Sequence, residues 1–175
     1  MRVISGKYKG RILSEPHGHK THPMSEKMRG AIFNALGDIE GLDVLDAYAG
    51  TGAVGIEALS RGARKVVTVE IDFDAFTVLK KNAESIQDKN LEIHRANIAS
   101  YLENISGASY DIVILDPPYD TIVSTQIYKC INVLKKSGIL VFSMPETADF
   151  KFDNLETLKE RSYAGGKLVF YKKLI

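Results

Sequence analysis

The chain has 175 residues, a net charge of +1, 45% apolar and 26% charged residues, an ordinary balance for a globular protein. No apolar run approaches the ~20 residues that cross a bilayer, the first residues lack the apolar region of a secretory signal, and the one cysteine, Cys130, cannot form an internal disulfide. These features point to a monomeric, cytoplasmic protein with no membrane partner, made of a basic N-terminal arm over residues 1–24 and a folded domain over residues 25–175.

Charge is unevenly spread. Residues 1–30 carry +5 and the remainder −4. A basic arm on a mildly acidic body suits a polyanion, although a solvated terminus would carry the same charge. Arg2-Val3-Ile4-Ser5 and Gly10-Arg11-Ile12-Leu13 read as the two sides of a hairpin around Gly6-Lys7-Tyr8-Lys9. Tyr8 between two lysines gives the basic and aromatic alternation that suits nucleic acid. His17, His19 and His22 follow in a loop. No cysteine or acid completes a metal site beside them, so no metal is expected.

Ser25 can cap a helix running to about Leu36, with Met28, Ile32 and Leu36 as its stripe and Gly37 as its stop. Arg29 flanks that stripe. Strands and helices then alternate. Val44 to Tyr48 is a strand, Ala53 to Arg61 a helix and Lys65 to Glu70 a strand. Asp72 caps a helix with Phe76, Leu79, Ala83 and Ile86 on its buried face. Leu91 to His94 is a strand, and a short helix runs toward Leu102. Tyr110 to Leu115 is a strand, about Val123 to Leu134 a helix with Cys130 in its core pattern, and Gly138 to Ser143 a strand. Thr157 to Tyr163 and Lys167 to Lys172 close as a hairpin around Ala164-Gly165-Gly166. This order predicts an α/β fold: a mostly parallel sheet covered on both faces, with an antiparallel edge hairpin.

Two motifs carry chemistry. Gly50-Thr51-Gly52-Ala53-Val54-Gly55 lies between a strand and a helix, and Glu70 follows Gly50 by twenty residues. That is the dinucleotide fingerprint with its ribose-binding acid, so an NAD-dependent oxidoreductase is one reading. Asp46 argues against it, because an acid just before the glycines repels a pyrophosphate. It suits a cation, such as the amino group and sulfonium of S-adenosylmethionine. The second motif, Asp116-Pro117-Pro118-Tyr119, ends an apolar strand. Neither proline has an N–H for the ladder, so the turn is stiff. Asp116 and the Pro117 carbonyl can accept hydrogen bonds from an amine, and Tyr119 can stack on the ring that bears it. As a purely structural element the tetrad would be a strand end capped by a rigid turn. Asn97, just past a strand, can either meet an adenine amino group or cap the following helix.

These stretches, together with Arg2 to Leu13, Pro23, Arg29, Phe33-Asn34 and Asp46 to Gly52, resemble the RsmD family of small-subunit (16S) ribosomal RNA guanine-N2 methyltransferases. The resemblance implies a class I methyltransferase (Rossmann-like) fold with an N-terminal β-hairpin arm, S-adenosylmethionine as cofactor, and 16S rRNA in an immature small subunit as partner. It implies catalytic roles for Asp116, Pro117, Pro118 and Tyr119. Cofactor contacts are expected from Asp46, Ala49, Gly50, Thr51, Gly52, Glu70, Ile71, Asn97, Ile98 and Asp116. RNA contacts are expected from Lys7, Tyr8, Lys9, Arg11, His22 and Arg29. His22 stands where the family usually has Arg, and Asn97 where an Asp usually meets the adenine. A DNA adenine-N6 or protein glutamine methyltransferase would share the tetrad's logic, and a non-catalytic RNA-binding module would share the arm.

Overall fold

The computed structural model describes residues 1–16, 24–107 and 109–175. In chain order the elements are α1 (Glu26–Leu36), β1 (Asp43–Asp46), α2 (Ala53–Ser60), β2 (Lys65–Glu70), α3 (Phe73–Ile86), β3 (Leu91–Arg95), α4 (Ile98–Glu103), β4 (Tyr110–Leu115), α5 (Ser124–Asn132), β5 (Leu134–Met144), β6 (Leu155–Tyr163) and β7 (Gly166–Lys173). Seven strands form one sheet in the order β3-β2-β1-β4-β5-β7-β6. The first five pair in parallel, and β7 joins β5 and β6 antiparallel. This is the expected Rossmann-like architecture with an antiparallel edge. Among the described residues no helix is long and apolar enough to cross a membrane.

The sheet is apolar on both faces, as a parallel sheet between helices must be. One face packs against α1 and α2 through Ile32, Phe33, Ile56 and Leu59 onto Val44, Val66, Ile112 and Val141. The other packs α4 and α5 through Leu102, Ile127 and Cys130 onto Leu45, Val67, Val113 and Phe142. Several details differ from the sequence expectations, among them β1 ending at Asp46 rather than Tyr48 and β6 starting at Leu155 rather than Thr157. Helix α5 stops at Asn132, and β5 starts at Leu134 rather than Gly138. The extra strand is irregular, with a register shift against β4 that lets Lys135 reach Asp111 at 2.9 Å. The buried face of α3 is Ala75, Leu79, Asn82 and Ile86, while the expected Phe76 and Ala83 are only half-buried.

The N-terminal hairpin is short. Arg2 and Ile12 form one antiparallel bridge, and Val3 and Leu13 insert into the core on the α1–α2 side. Glu57 of α2 anchors it. Its carboxylate is fully buried and accepts from the backbone N–H groups of Ile4 (2.8 Å) and Ser5 (3.0 Å) and from Arg61 Nε (2.8 Å). Arg29, expected at the RNA, is also fully buried, 3.6 Å from Glu57. It donates to the carbonyl of Arg2. Its guanidinium therefore holds the hairpin on the body and cannot meet a phosphate in this arrangement. Burial also depresses its basicity, and the Glu57 charge opposes that.

Glu57→Gln keeps the shape but leaves Arg29 buried without its counter-charge. It should destabilise the fold by about 3–5 kcal/mol, read as a lower denaturant midpoint with an unchanged slope.

Candidate active site

The register of the central strands gathers three acids. Asp46 is level with Thr68 on β2 and with Ile114 on β4. Glu70 and Asp116 therefore lie two residues further on in the flanking strands, on the same face as Asp46. All three stand at the carboxyl ends of the strands, where open α/β sheets bind ligands. Asp46 is buried and accepts from the Gly55 N–H at 3.0 Å. Burial raises its pKa from 3.8 to about 7, and the charges of Asp116 and Glu70 add to the rise against the pull of the Gly55 hydrogen bond.

The loop from Ala49 to Gly52 is shaped by its glycines. Gly52 caps α2 in the left-handed region, where a Cβ would come within 2.2 Å of Leu79. At Gly55 a Cβ would lie 2.5 Å from Thr68, so α2 presses onto β2 only because nothing is there. Above Gly50, by contrast, a Cβ would meet no atom within 4 Å, so the loop backbone is open to a ligand. Glu70 ties the loop down. One carboxylate oxygen accepts from Gly50 N–H at 2.7 Å and the other from Asp72 N–H at 2.8 Å. Each oxygen keeps a free lone pair for a hydroxyl. Beside Glu70, Ile71 and Phe73 are exposed, and the Arg95 guanidinium lies 5.2 Å from the Phe73 ring. Phe73 was absent from the sequence expectations; its signal is an aromatic residue at a solvent-facing helix start.

Asn97 caps α4, its Oδ1 accepting from Ala99 N–H at 2.8 Å. That leaves its amide NH₂ and one lone pair of its carbonyl oxygen for an outside partner. Ile98 is buried behind it, and Ala49 and Thr51 are buried in the loop. Asn82 also went unnoticed in the sequence. It is buried, donates to the Thr51 carbonyl (2.9 Å) and exchanges hydrogen bonds with the Ser14 backbone (2.7 and 3.1 Å). One amide thus joins the glycine loop to the N-terminal segment.

The tetrad lies on the other side of Asp46. Pro117 is buried, Pro118 is exposed, and Tyr119 starts a single 3₁₀ turn to Thr121. Tyr119 is 38% exposed, and its hydroxyl lies 2.9 Å from Ser143 Oγ. Burial holds the Asp116 carboxyl above the usual carboxylate range, while a hydrogen bond from Ser143 opposes the rise. The Ser143 hydroxyl thus stands between the Asp116 carboxyl and the Tyr119 hydroxyl, and in the Tyr119–Ser143 bond either hydroxyl can be the donor. Gly166 completes the seat: a Cβ there would lie 2.4 Å from the Tyr119 hydroxyl. Ser143 sits at the end of an apolar strand and carries no motif, so only the fold discloses its part.

The expected RNA contacts divide. Lys7 Nζ and Tyr8 Oη both bond Asp88 at 2.6 Å, and Arg11 donates to the Ser85 carbonyl, so all three fasten the hairpin to the end of α3. Lys9 is exposed. His22 and the other loop histidines lie outside the described residues.

Asp46 supplies a pH test. In the unfolded chain it ionises near 3.8, and in the folded chain only near 7. A raised carboxyl pKa costs stability as the unfolded state loses its proton first. The cost is absent below about pH 4, grows between 4 and 7, and is then constant. Asp46→Asn keeps an acceptor for Gly55, so its melting temperature should match the parent near pH 4 and exceed it by several degrees at pH 8 without ligand.

Comparison with known proteins places the chain as a whole. A family model described as Conserved hypothetical protein 95 matches residues 1–172. YlbH of Bacillus subtilis is 33% identical over 186 residues, covering 99% of each chain. Ribosomal RNA small subunit methyltransferase D of Escherichia coli is 33% identical over 141 residues, covering 80% of this chain and 69% of the relative. The solved structure of yhhF from Escherichia coli, assigned as a methyltransferase, superposes with a TM-score of 0.85 at 26% identity, covering 99% of this chain and 98% of that one. The chain belongs to the Conserved hypothetical protein 95 family, the RsmD family, and has the fold of a class I methyltransferase.

Proposed function

We propose that the protein transfers a methyl group from S-adenosylmethionine to the exocyclic N2 amine of a guanine in 16S ribosomal RNA, within a small-subunit assembly intermediate. The observation that carries the reading is the cluster of Asp46, Glu70 and Asp116 around an open glycine loop, next to a rigid Pro-Pro-Tyr turn. Membership of the RsmD family supports the ribosomal RNA substrate.

The residues fit the cofactor. Buried Asp46 has no cationic partner among the described residues and favours an ammonium or sulfonium. Glu70 retains acceptor sites for a ribose diol, Ile71 and Phe73 offer exposed apolar surface for an adenine, and the backbone at Gly50 is open. When bound, S-adenosylmethionine supplies an electrophilic methyl group on positive sulfur. Asp46, Gly50, Gly52, Glu70, Ile71 and the Asn97 amide hold and orient it, with Ala49, Thr51 and Ile98 shaping the wall behind.

The chain's own task is to position the amine. A guanine N2 lone pair is delocalised into the ring and is a poor nucleophile. Asp116 and the Pro117 carbonyl accept its two N–H bonds, which fixes the nitrogen and excludes water around it. The Ser143 hydroxyl keeps the carboxylate aimed. Asp116 accepts a proton from the methylated amine, and no stronger base is needed. The target base has left its stack, and the Tyr119 ring replaces part of the stacking it lost. Exposed Lys9 adds affinity through phosphates.

The deciding experiment offers radiolabelled S-adenosylmethionine with 16S RNA, immature small-subunit particles, DNA and protein, followed by nucleoside analysis. N2-methylguanosine from the particles is expected; labelled N6-methyladenine or methylglutamine as the main product would overturn the assignment. Asp116→Asn should lower the single-turnover rate by about 10²–10³, the loss seen when one oriented polar group is removed, and should leave cofactor affinity within a few-fold of the parent. Glu70→Ala should weaken cofactor binding by about 1–3 kcal/mol in calorimetry.

A further inference from the structure

A groove runs between α1 and the β6–β7 hairpin, lined by Lys27, Ala31 and Asn34 on one wall and by Lys159, Arg161 and Tyr163 on the other. Its volume, about 890 Å³, is in the range of sites that take a ligand rather than a few waters. The residues on both walls follow from local geometry. Positions 27, 31 and 34 recur on one face of a helix, and 159, 161 and 163 on one face of a strand. The intervening Glu160 faces the other way and pairs with Lys167 at 3.1 Å.

Cations outnumber carboxylates in the lining. Glu26 pairs with Arg2 and Glu160 with Lys167, while Glu146, on the groove rim, accepts from the Ser162 hydroxyl at 2.8 Å and keeps its charge. Lys27, Lys159 and Arg161 are left without a carboxylate partner among the described residues. Asn34 and the half-buried Tyr163 add a hydrogen-bonding amide and an aromatic ring. The groove also adjoins the tetrad. Its end at Gly165 is next to Gly166, which backs the Tyr119 ring. A nucleotide with its base against Tyr119 therefore has its backbone leaving beside three unpaired cations.

We propose that this groove holds the RNA backbone flanking the target nucleotide, so that α1 and the closing hairpin form a second RNA contact in addition to the N-terminal arm. The inference rests on the function proposed above. Unpaired cations around an aromatic and an amide match phosphate and base rather than an apolar peptide.

The test is a variant with Lys27→Ala, Lys159→Ala and Arg161→Ala, compared with the parent for binding of 16S RNA over a range of salt concentrations. Each lost phosphate contact on a single strand should lower the log–log salt slope by about 0.7, so a drop of about 2 is expected. RNA affinity at low salt should fall at least tenfold, with S-adenosylmethionine affinity and melting temperature close to the parent. Should the triple variant fold poorly, Lys27→Gln and Arg161→Gln singly should each lower the slope by about 0.7. An unchanged slope overturns the proposal. So does a variant that methylates particles poorly but binds naked RNA like the parent, since the groove then meets a protein. Failure of the parent to methylate any RNA would instead overturn the functional reading, because RNA binding is measured apart from methylation.

Discussion

Negative charge packed into the carboxyl edge of a parallel sheet is the constraint on which this molecule turns. Strand register alone puts Asp46, Glu70 and Asp116 on one face at one end. Water cannot solvate a side chain as enclosed as Asp46, so the backbone must share the work. Gly55 N–H meets Asp46, while Gly50 and Asp72 N–H groups meet Glu70. The glycine loop takes its shape from those bonds as much as from its own sequence. The acids remain under-compensated even so: burial above all, with the charges of Asp116 and Glu70 adding, raises the Asp46 pKa to about 7. A site that stays short of positive charge selects for a cationic ligand before any contact with that ligand forms.

On the far side of Asp46 the organising principle is stiffness. Two prolines fix the turn, Ser143 links Tyr119 to Asp116, and Gly166 leaves no slack behind the ring. A ring restrained on two sides has little conformational entropy left to lose on contact with any ligand. The antiparallel hairpin that closes the sheet therefore serves the site as well as the core, since it delivers Gly166 to its place.

Much of this was legible in the amino-acid order. Alternating strands and helices, the Gly50 to Gly55 run, Glu70 twenty residues on and the Pro-Pro turn each have a local cause, and local causes leave local patterns. What escaped has a partner far along the chain. Arg29 sits beside an amphipathic stripe and reads as a solvent-facing cation, because nothing near it announces Glu57, twenty-eight residues later and just as deeply buried. Asn82 occupies a core position of α3 that the expected stripe passed over, since its value lies in reaching Thr51 and Ser14 at once. Ser143 hides in an apolar strand for the same reason. The early start of β5 depends on a register shift against β4, and no propensity reports that.

The anchorage of the first sixteen residues also orders events in time. Ile4 and Ser5 dock on Glu57, Ser14 on Asn82, and Lys7 and Tyr8 on Asp88. Residues 1–16 thus find these partners only after some fifty to eighty further residues have emerged. Contacts of such long sequence separation form late, because loop closure must be met before they contribute. Val3 and Leu13 share their core with residues of α1 and α2, so burial of this segment waits at least until α2 has emerged.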